Sequence, residues 1–353
     1  MKKIKVFLGG YVNYLNAQNI NCYSLSKYLD KNRFKVSTIL HPNQHAEDFQ
    51  KVRGVSYIQL RLPARIWRYY VYLKGIATAD VAYLPKGQLV HFCKAVGFMF
   101  NTRLFTTVEG LLGEPSEDRT HIKYINKFAI FSPYLYAITN FLAKKESKRQ
   151  KLNIAPNILP LGVEYSLFAT PKKPQKKLTD IVFIGNKLVT KGIFDFFEAA
   201  DNFPNLHFHI IGGDDLGDAG RLLDYLNKTG LKNVTYHGRL NHTELSKVLS
   251  QMDLMFFPSR SEGFPKVQLE TACSGVPTLC YPDYGAAEWI QNNENGFIVN
   301  NINEAKEVIK QLEGDPETLH RVSILAIELG RKYDWMRVVK IWESEIEKIA
   351  AKR

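Results

Sequence analysis

The stretch Pro258-Ser259-Arg260-Ser261-Glu262-Gly263-Phe264-Pro265-Lys266-Val267-Gln268-Leu269-Glu270 sets two carboxylates on either side of a glycine and a proline. It follows LMFF, which reads as a strand. A helix begins near Pro265, where a missing N–H is harmless in a first turn. Glu262 then lies in the loop and Glu270 about one turn into the helix. Carboxylates accept hydrogen bonds from hydroxyls, amides at a helix start hold an anion, and Gly263 lets a ligand approach the backbone. The pattern suits a polyhydroxylated ligand with a phosphate between its ends. On spacing alone it equally fits a capping carboxylate and a solvated helix glutamate. Leu269, Ala272, Cys273 and Val276 recur at helical spacing and face a core, and Gly275 with Pro277 ends the helix.

Three further strand-to-helix loops carry candidates. Gly185-Asn186-Lys187-Leu188-Val189-Thr190-Lys191-Gly192 precedes a helix whose inner stripe is Ile193, Phe196, Phe197 and Ala200. Lys191 at that helix start adds a point charge suited to a diphosphate. Gly9-Gly10 follows the strand IKVFL and permits a tight turn with close passage of substrate. It is not a full GxGxxG, so it predicts no dinucleotide site. Gly238-Arg239-Leu240 follows VTYH, in position to touch a base or phosphate.

The elements that position these loops form an α/β alternation. IKVFL, KVSTIL, VSYIQL, VAYL, RLFTTVE and YAIT read as strands in the first half. DIVFIGN, LHFHIIGG, VTYHG, LMFFPS, PTLCYP and GFIV do so in the second, with amphipathic stretches between. Parallel sheets with crossover helices are expected, with ligands at the carboxyl ends of the strands. A length of 353 residues favours two domains. The polar segment 169–179 reads as the linker, giving domains 1–168 and 169–333. A closing helix, 334–353, carries Trp335, Val338, Val339, Trp342, Ile346 and Ile349 on one stripe long enough to pack on both. Apolar runs are too short to span a bilayer or to form a signal sequence. The four cysteines are scattered with no CxxC, as in a reducing, cytoplasmic protein. His207 and His209 alternate on one strand with no carboxylate at ligand spacing and read as strand filler. Asp214-Asp215 reads as a solvated loop, and no metal site is expected.

With these motifs in view, the second half resembles the family-4 glycosyltransferases of the GT-B fold (glycosyl transferases group 1). The likeness rests on Gly185 to Gly192, on PSRSEGFPKVQLETACSGVP and on EWIQNNENGFIV. LPLGVEYSLF and YDWMRVVKIWESE add to it. It covers residues 130–350 well and the first 130 loosely. It implies two Rossmann-like domains with parallel sheets facing a central cleft, and a C-terminal crossover helix. It also implies a retaining transfer from a UDP- or GDP-linked sugar, with no cofactor and no metal. Lys191 would hold the donor diphosphate and Glu262 the transferred sugar. Gly263, Phe264 and Pro265 would line sugar and phosphate together with Lys266 and Val267. Glu270 would bind the ribose hydroxyls, and Gly9 and Gly10 would approach the donor from the first domain. Where the family usually has Arg after Gly185, this chain has Asn186, with Lys187 a substitute. Where it often has His, this chain has Glu109, which is expected to bind acceptor or sugar, to act as a base, or to be structural.

Charge is one-sided. Residues 1–170 hold 24 basic and 10 acidic side chains, a net of +14, against −2 for the remainder. Such a field points to an anionic partner. In RLPARIWRYYVYLKG, Leu62, Ile66, Tyr70 and Leu73 are expected to face inward. Arg61, Arg65 and Arg68 would project elsewhere, beside Trp67 and Tyr69. Lys144, Lys145, Lys148, Arg149 and Lys151 form a second cluster. These are the expected contacts with an anionic inner membrane face, or with a glycan or lipid-linked acceptor in cell-surface polysaccharide synthesis, lipopolysaccharide included. The protein would then be cytoplasmic and peripheral. Two other classes stay open: a catalytically silent GT-B scaffold, and a nucleic-acid-binding protein using the basic half. No stacking aromatics support the latter, and nucleic acid is not the expected partner.

Overall fold

The structure, a computed structural model, describes residues 2–14, 16–43, 49–85, 89–169, 177–213, 224, 226 and 228–352. It divides into two units, residues 1–161 with 335–353, and residues 162–334. The first unit runs β1 (Ile4–Tyr11), α1 (Ala17–Tyr28), β2 (Phe34–Leu40), β3 (Val55–Gln59), α2 (Ala64–Ala77), β4 (Val81–Tyr83), α3 (Val90–Met99), β5 (Arg103–Val108), α4 (Arg119–Ala129), β6 (Leu135–Ala137) and α5 (Asn140–Gln150). The second runs α6 (Tyr165–Phe168), β7 (Asp180–Ile184), α7 (Ile193–Asn202), β8 (His207–Ile211), β9 (Val234–Gly238), α8 (His242–Leu249), β10 (Leu254–Phe257), α9 (Lys266–Cys273), β11 (Thr278–Cys280), β12 (Gly296–Ile298), α10 (Ile302–Gly314) and α11 (Pro316–Lys332). The last helix, α12 (Trp335–Ala351), returns to the first unit.

The boundary differs from the one expected at residue 168. Phe168 is buried in the core of the second unit, and its carbonyl accepts from Ser274 Oγ at 2.7 Å. The short helix α6 therefore belongs there. Of the segment read as a linker, residues 170–176 lie outside the described residues.

Each unit is one parallel sheet, ordered β3-β2-β1-β4-β5-β6 and β12-β11-β10-β7-β8-β9. β-branched and aromatic runs make the strands, and both faces of each sheet are covered, so they read as near-continuous apolar segments. In each sheet the order reverses beside its first strand, between β1 and β4 and between β7 and β10. Helix α7 buries Ile193, Phe196, Phe197 and Ala200, as its spacing predicts. Phe196 meets the rings of Phe183 and Phe208 at 5.5 and 5.2 Å.

The closing helix buries all six residues of its stripe. It packs on the first unit: Trp342 lies 5.3 Å from the Tyr83 ring, and its indole N–H donates to Pro160 O at 2.8 Å. Glu343 and Glu347 pair with Arg33. Trp342→Ala is expected to cost the first unit about 3–5 kcal/mol by leaving a cavity and an unpaired carbonyl. Denaturant unfolding of wild type and variant measures that loss, and a change below about 1 kcal/mol would refute the role of this helix.

Dividing the chain at the structural boundary sharpens its charge asymmetry. The first unit carries 29 basic and 12 acidic residues, net +17, and the second 18 and 23, net −5.

Candidate functional site

The loops leaving β7 and β10 part where the second sheet reverses, the place at which open α/β sheets take their ligands. Their side chains meet there. Lys191 Nζ donates to Glu262 Oε1 at 2.5 Å, and Ser259 Oγ donates to the same oxygen at 2.7 Å. The ammonium also lies 5.2 Å from the centre of the Phe257 ring. Glycines make this approach possible. A Cβ on Gly185 would sit 2.5 Å from Lys191 Cδ, so only glycine lets the lysine stem cross the end of β7. Gly192, at φ 83°, turns the chain into α7 with its Cα against the carbonyl of Pro258.

Asn186 does not stand as a replacement cation. Its Oδ1 accepts from the Gly213 amide at 3.3 Å and so ties the β7 loop to the one after β8. Arg239 lies against Gly213, where a Cβ would come within 2.5 Å of its Cγ. Lys187 is exposed, in a left-handed backbone conformation at φ 58°. Leu240 packs against the core beneath. Asp214 and Asp215 lie outside the described residues.

Helix α9 starts after Pro265 with no side-chain cap. Its first amides, at Lys266 and Val267, have no acceptor within the helix and suit an anion. Gly263 and Phe264 lead into it, and the Phe264 ring is held against Trp289 at 5.1 Å. Trp289 in turn donates to Gln268 Oε1 at 2.8 Å, and Gln268 donates to the Tyr284 hydroxyl at 2.6 Å. Glu270 is half-buried. Burial lifts its carboxyl above the usual carboxylate range, against the opposing pull of His242 and Lys266. Among the described residues it accepts no hydrogen bond. A carboxyl left so can take two hydroxyl donors from a diol.

Sequence reasoning missed Ser259, Gly212, Gly213 and Gln268. Three had a legible signal: Ser259 lies three residues before Glu262, and the pair Gly212-Gly213 ends the run LHFHIIGG. Reading His209 as strand filler is corrected. A carboxylate reaches it from the neighbouring strand, His209 Nε2 to Asp180 Oδ1 at 2.9 Å, and His237 lies 3.0 Å from its other nitrogen. Burial opposes the Asp180 charge, but hydrogen bonds from His209 and Thr179 hold the carboxyl below its usual range. The spacing within one strand could not show a partner across the sheet.

In the first unit, Gly9 and Gly10 are not a loop after β1. The strand runs through them to Tyr11 with an irregular register, and both are buried. Side chains at these positions would meet Leu84 Cδ2 at 2.8 Å and Cys22 Sγ at 2.7 Å, so packing alone demands glycine. Glu109 follows β5. Tyr83 and Thr107 hydroxyls lie 2.9 and 3.0 Å from its Oε1, and the Asn21 amide donates to Oε2 at 2.9 Å. Burial and the Glu109 charge push the Tyr83 phenol well up, so it stays a donor. Glu109 is thus a fixed acceptor.

The basic clusters also differ from expectation. In α2 the buried residues are Val71, Tyr72, Gly75 and Ile76, while Ile66, Tyr70 and Leu73, with Leu62 just before the helix, face out. Gly75 sets this rotation: a Cβ there would come within 2.3 Å of the Phe7 ring, so α2 lays its glycine on β1. Arg61 stacks on Trp67 at 5.2 Å and Arg65 is exposed, but Arg68 is half-buried and hydrogen-bonded to Tyr11. In α5, Lys144 and Lys148 are exposed and Lys145 lies over Phe141, whereas Arg149 pairs with Glu114 and buried Glu146. Arg68 and Arg149 therefore leave the exposed set.

Residues 168–328 match the family described as glycosyl transferases group 1. That match covers a little under half of the chain, and the chain as a whole has the GT-B fold. It is 26% identical over 168 residues to an uncharacterized glycosyltransferase of Methanocaldococcus jannaschii, 46% of this chain and 47% of that protein. The chain spans about half the length of the curated relatives it matches. A glycosyltransferase of Rickettsia africae superposes with a TM-score of 0.80 at 15% identity, covering 100% of each chain. Anabaena HepE, solved in complex with UDP, gives 0.75 at 15%, over 99% of this chain and 100% of that one.

Proposed function

We propose that the protein transfers a sugar from a nucleotide-sugar donor to a glycan or lipid-linked acceptor, with retention of configuration and without metal. The observation that carries this reading is the meeting of Lys191 and Glu262 at the reversal of the second sheet, beside the uncapped start of α9. An ammonium has three donors and Glu262 takes one. The others, with the α9 amides, suit a diphosphate, doing work that a divalent cation does elsewhere. In this reading Glu262 takes the transferred sugar, Glu270 the ribose diol, and Arg239 the base or a phosphate. Glu109, fixed by its donors, suits a hydroxyl of acceptor or sugar better than proton transfer.

Retention, UDP or GDP as the carrier, and a role in cell-surface polysaccharide synthesis belong to this proposal. HepE is solved in complex with UDP, which favours a UDP-linked sugar as the first donor to try. The positive first unit supports work at an anionic membrane face, and no helix among the described residues is long and apolar enough to cross a membrane.

UDP with a chelator present is expected to raise the melting temperature, because a ligand of the folded state alone stabilises it. Glu270→Ala is expected to weaken UDP roughly tenfold or more, the loss of charge-assisted hydrogen bonds to the ribose. Equal UDP affinity in both proteins would remove Glu270 from the site. Donor turnover separates an enzyme from a silent scaffold, and an inverted product by NMR would refute retention.

A further inference from the structure

The outward face of α2 is apolar. Counting from Leu62, the residues four, seven, eight and eleven positions on are Ile66, Tyr69, Tyr70 and Leu73. All are exposed, with Leu62 at 67% and Ile66 at 69%. A surface helix ordinarily turns polar residues to that side. The stripe continues onto α3, whose Phe92 ring meets Tyr69 at 5.1 Å. The end of α3 exposes Phe98 at 91% and Met99 at 71%. With Phe100, this stretch holds eight of the seventeen exposed large apolar side chains among the described residues. A patch so concentrated marks a contact surface.

Its charge names the partner. Between Phe49 and Val108 the chain has nine basic residues and one acidic, Asp80, whose carboxylate is bound by the Lys5 amide at 2.8 Å. Arg61, Arg65, Lys74 and Lys94 are exposed. Two copies meeting through this face would bring two units of +17 together. An anionic bilayer instead takes apolar side chains at the headgroup boundary while long cationic stems reach the phosphates.

We propose that the outer faces of α2 and α3 dock on an anionic bilayer, with Leu62, Ile66, Phe98 and Met99 entering the acyl boundary. This rests on the membrane-face reading above and adds that insertion, not charge alone, holds the protein there. Charge attraction is screened at high salt, where the Debye length falls to about 3 Å in 1 M salt, and apolar burial is not.

The test is co-sedimentation of the full chain with vesicles of phosphatidylglycerol and phosphatidylcholine in equal parts. Wild type is expected to bind at low salt and to remain partly bound at about 1 M. Ile66→Ser with Phe98→Ser keeps charge unchanged, so it isolates insertion. It is expected to lower low-salt partition by about tenfold and to abolish salt-resistant binding. Lys74→Gln with Lys94→Gln is expected to weaken low-salt binding and spare the salt-resistant part. The UDP melting shift serves as the control of folding in every variant. Complete release of wild type by salt, with the serine variant matching it, overturns insertion and leaves the charge-based membrane reading standing. A UDP-binding wild type that sediments with no vesicle overturns insertion and membrane location together, and leaves the donor site standing. A dimer in light scattering that Ile66→Ser splits assigns the face to a second copy and overturns the proposal.

Discussion

Lys191→Ala is expected to abolish the stabilisation that UDP gives the wild type, and sugar transfer with it. At a hundred times its Kd a ligand stabilises the folded state by about 2.7 kcal/mol, so the loss is easily read as a missing melting shift. The variant starts from a lower baseline, because Glu262 loses the ammonium 2.5 Å away and keeps only Ser259 on that oxygen. Removing one partner of a partly buried pair costs about 1–3 kcal/mol. Each protein is therefore compared with its own ligand-free melting point. Full stabilisation by UDP in the alanine variant would place the diphosphate elsewhere.

Glu262→Gln should separate chemistry from binding. The amide oxygen still accepts from Ser259 and Lys191, so the loop keeps its shape, but the charge is gone. Transfer is expected to fall about a hundredfold or more, the scale of losing one group aimed at developing charge. UDP affinity is expected to stay level or rise, because the carboxylate no longer competes with the diphosphate for Lys191. Single-turnover kinetics beside calorimetric UDP titration gives both numbers. Unchanged transfer would remove Glu262 from the chemistry, and collapsed UDP affinity would make it a nucleotide-positioning residue.

All the strands expected from apolar, β-branched runs are present, from IKVFL to GFIV. The loops at Gly185 and Glu262 fall where the alternation puts them. These features are local, and short runs bounded by glycine and proline carry them. What depended on the partner surface was not legible. Helix α2 is apolar on two faces, and the contact of Gly75 with Phe7 decides which of them turns inward. Gly9-Gly10 has the composition of a turn, yet Leu84 and Cys22 make it a strand. Lys144 and Arg149 look alike in composition, and only the fold brings Glu114 to the arginine, which already has Glu146 one turn before it. Asp180 and His209 are far apart in the chain and adjacent across two strands.

The ends of the second unit are themselves joined. Val163 donates its amide to Tyr333 O at 2.9 Å, and Val163 bridges Asp334 in parallel. The chain thus leaves the first unit after Leu161, completes a whole sheet, and returns at Trp335 from beside its point of departure. Such a segment is a cassette inserted into a host. Its two seams can be cut together without breaking either sheet, so recombination between relatives can exchange residues 162–334 as one block. The unit that holds Lys191, Glu262 and Glu270 can be inherited separately from the strongly basic unit that hosts it.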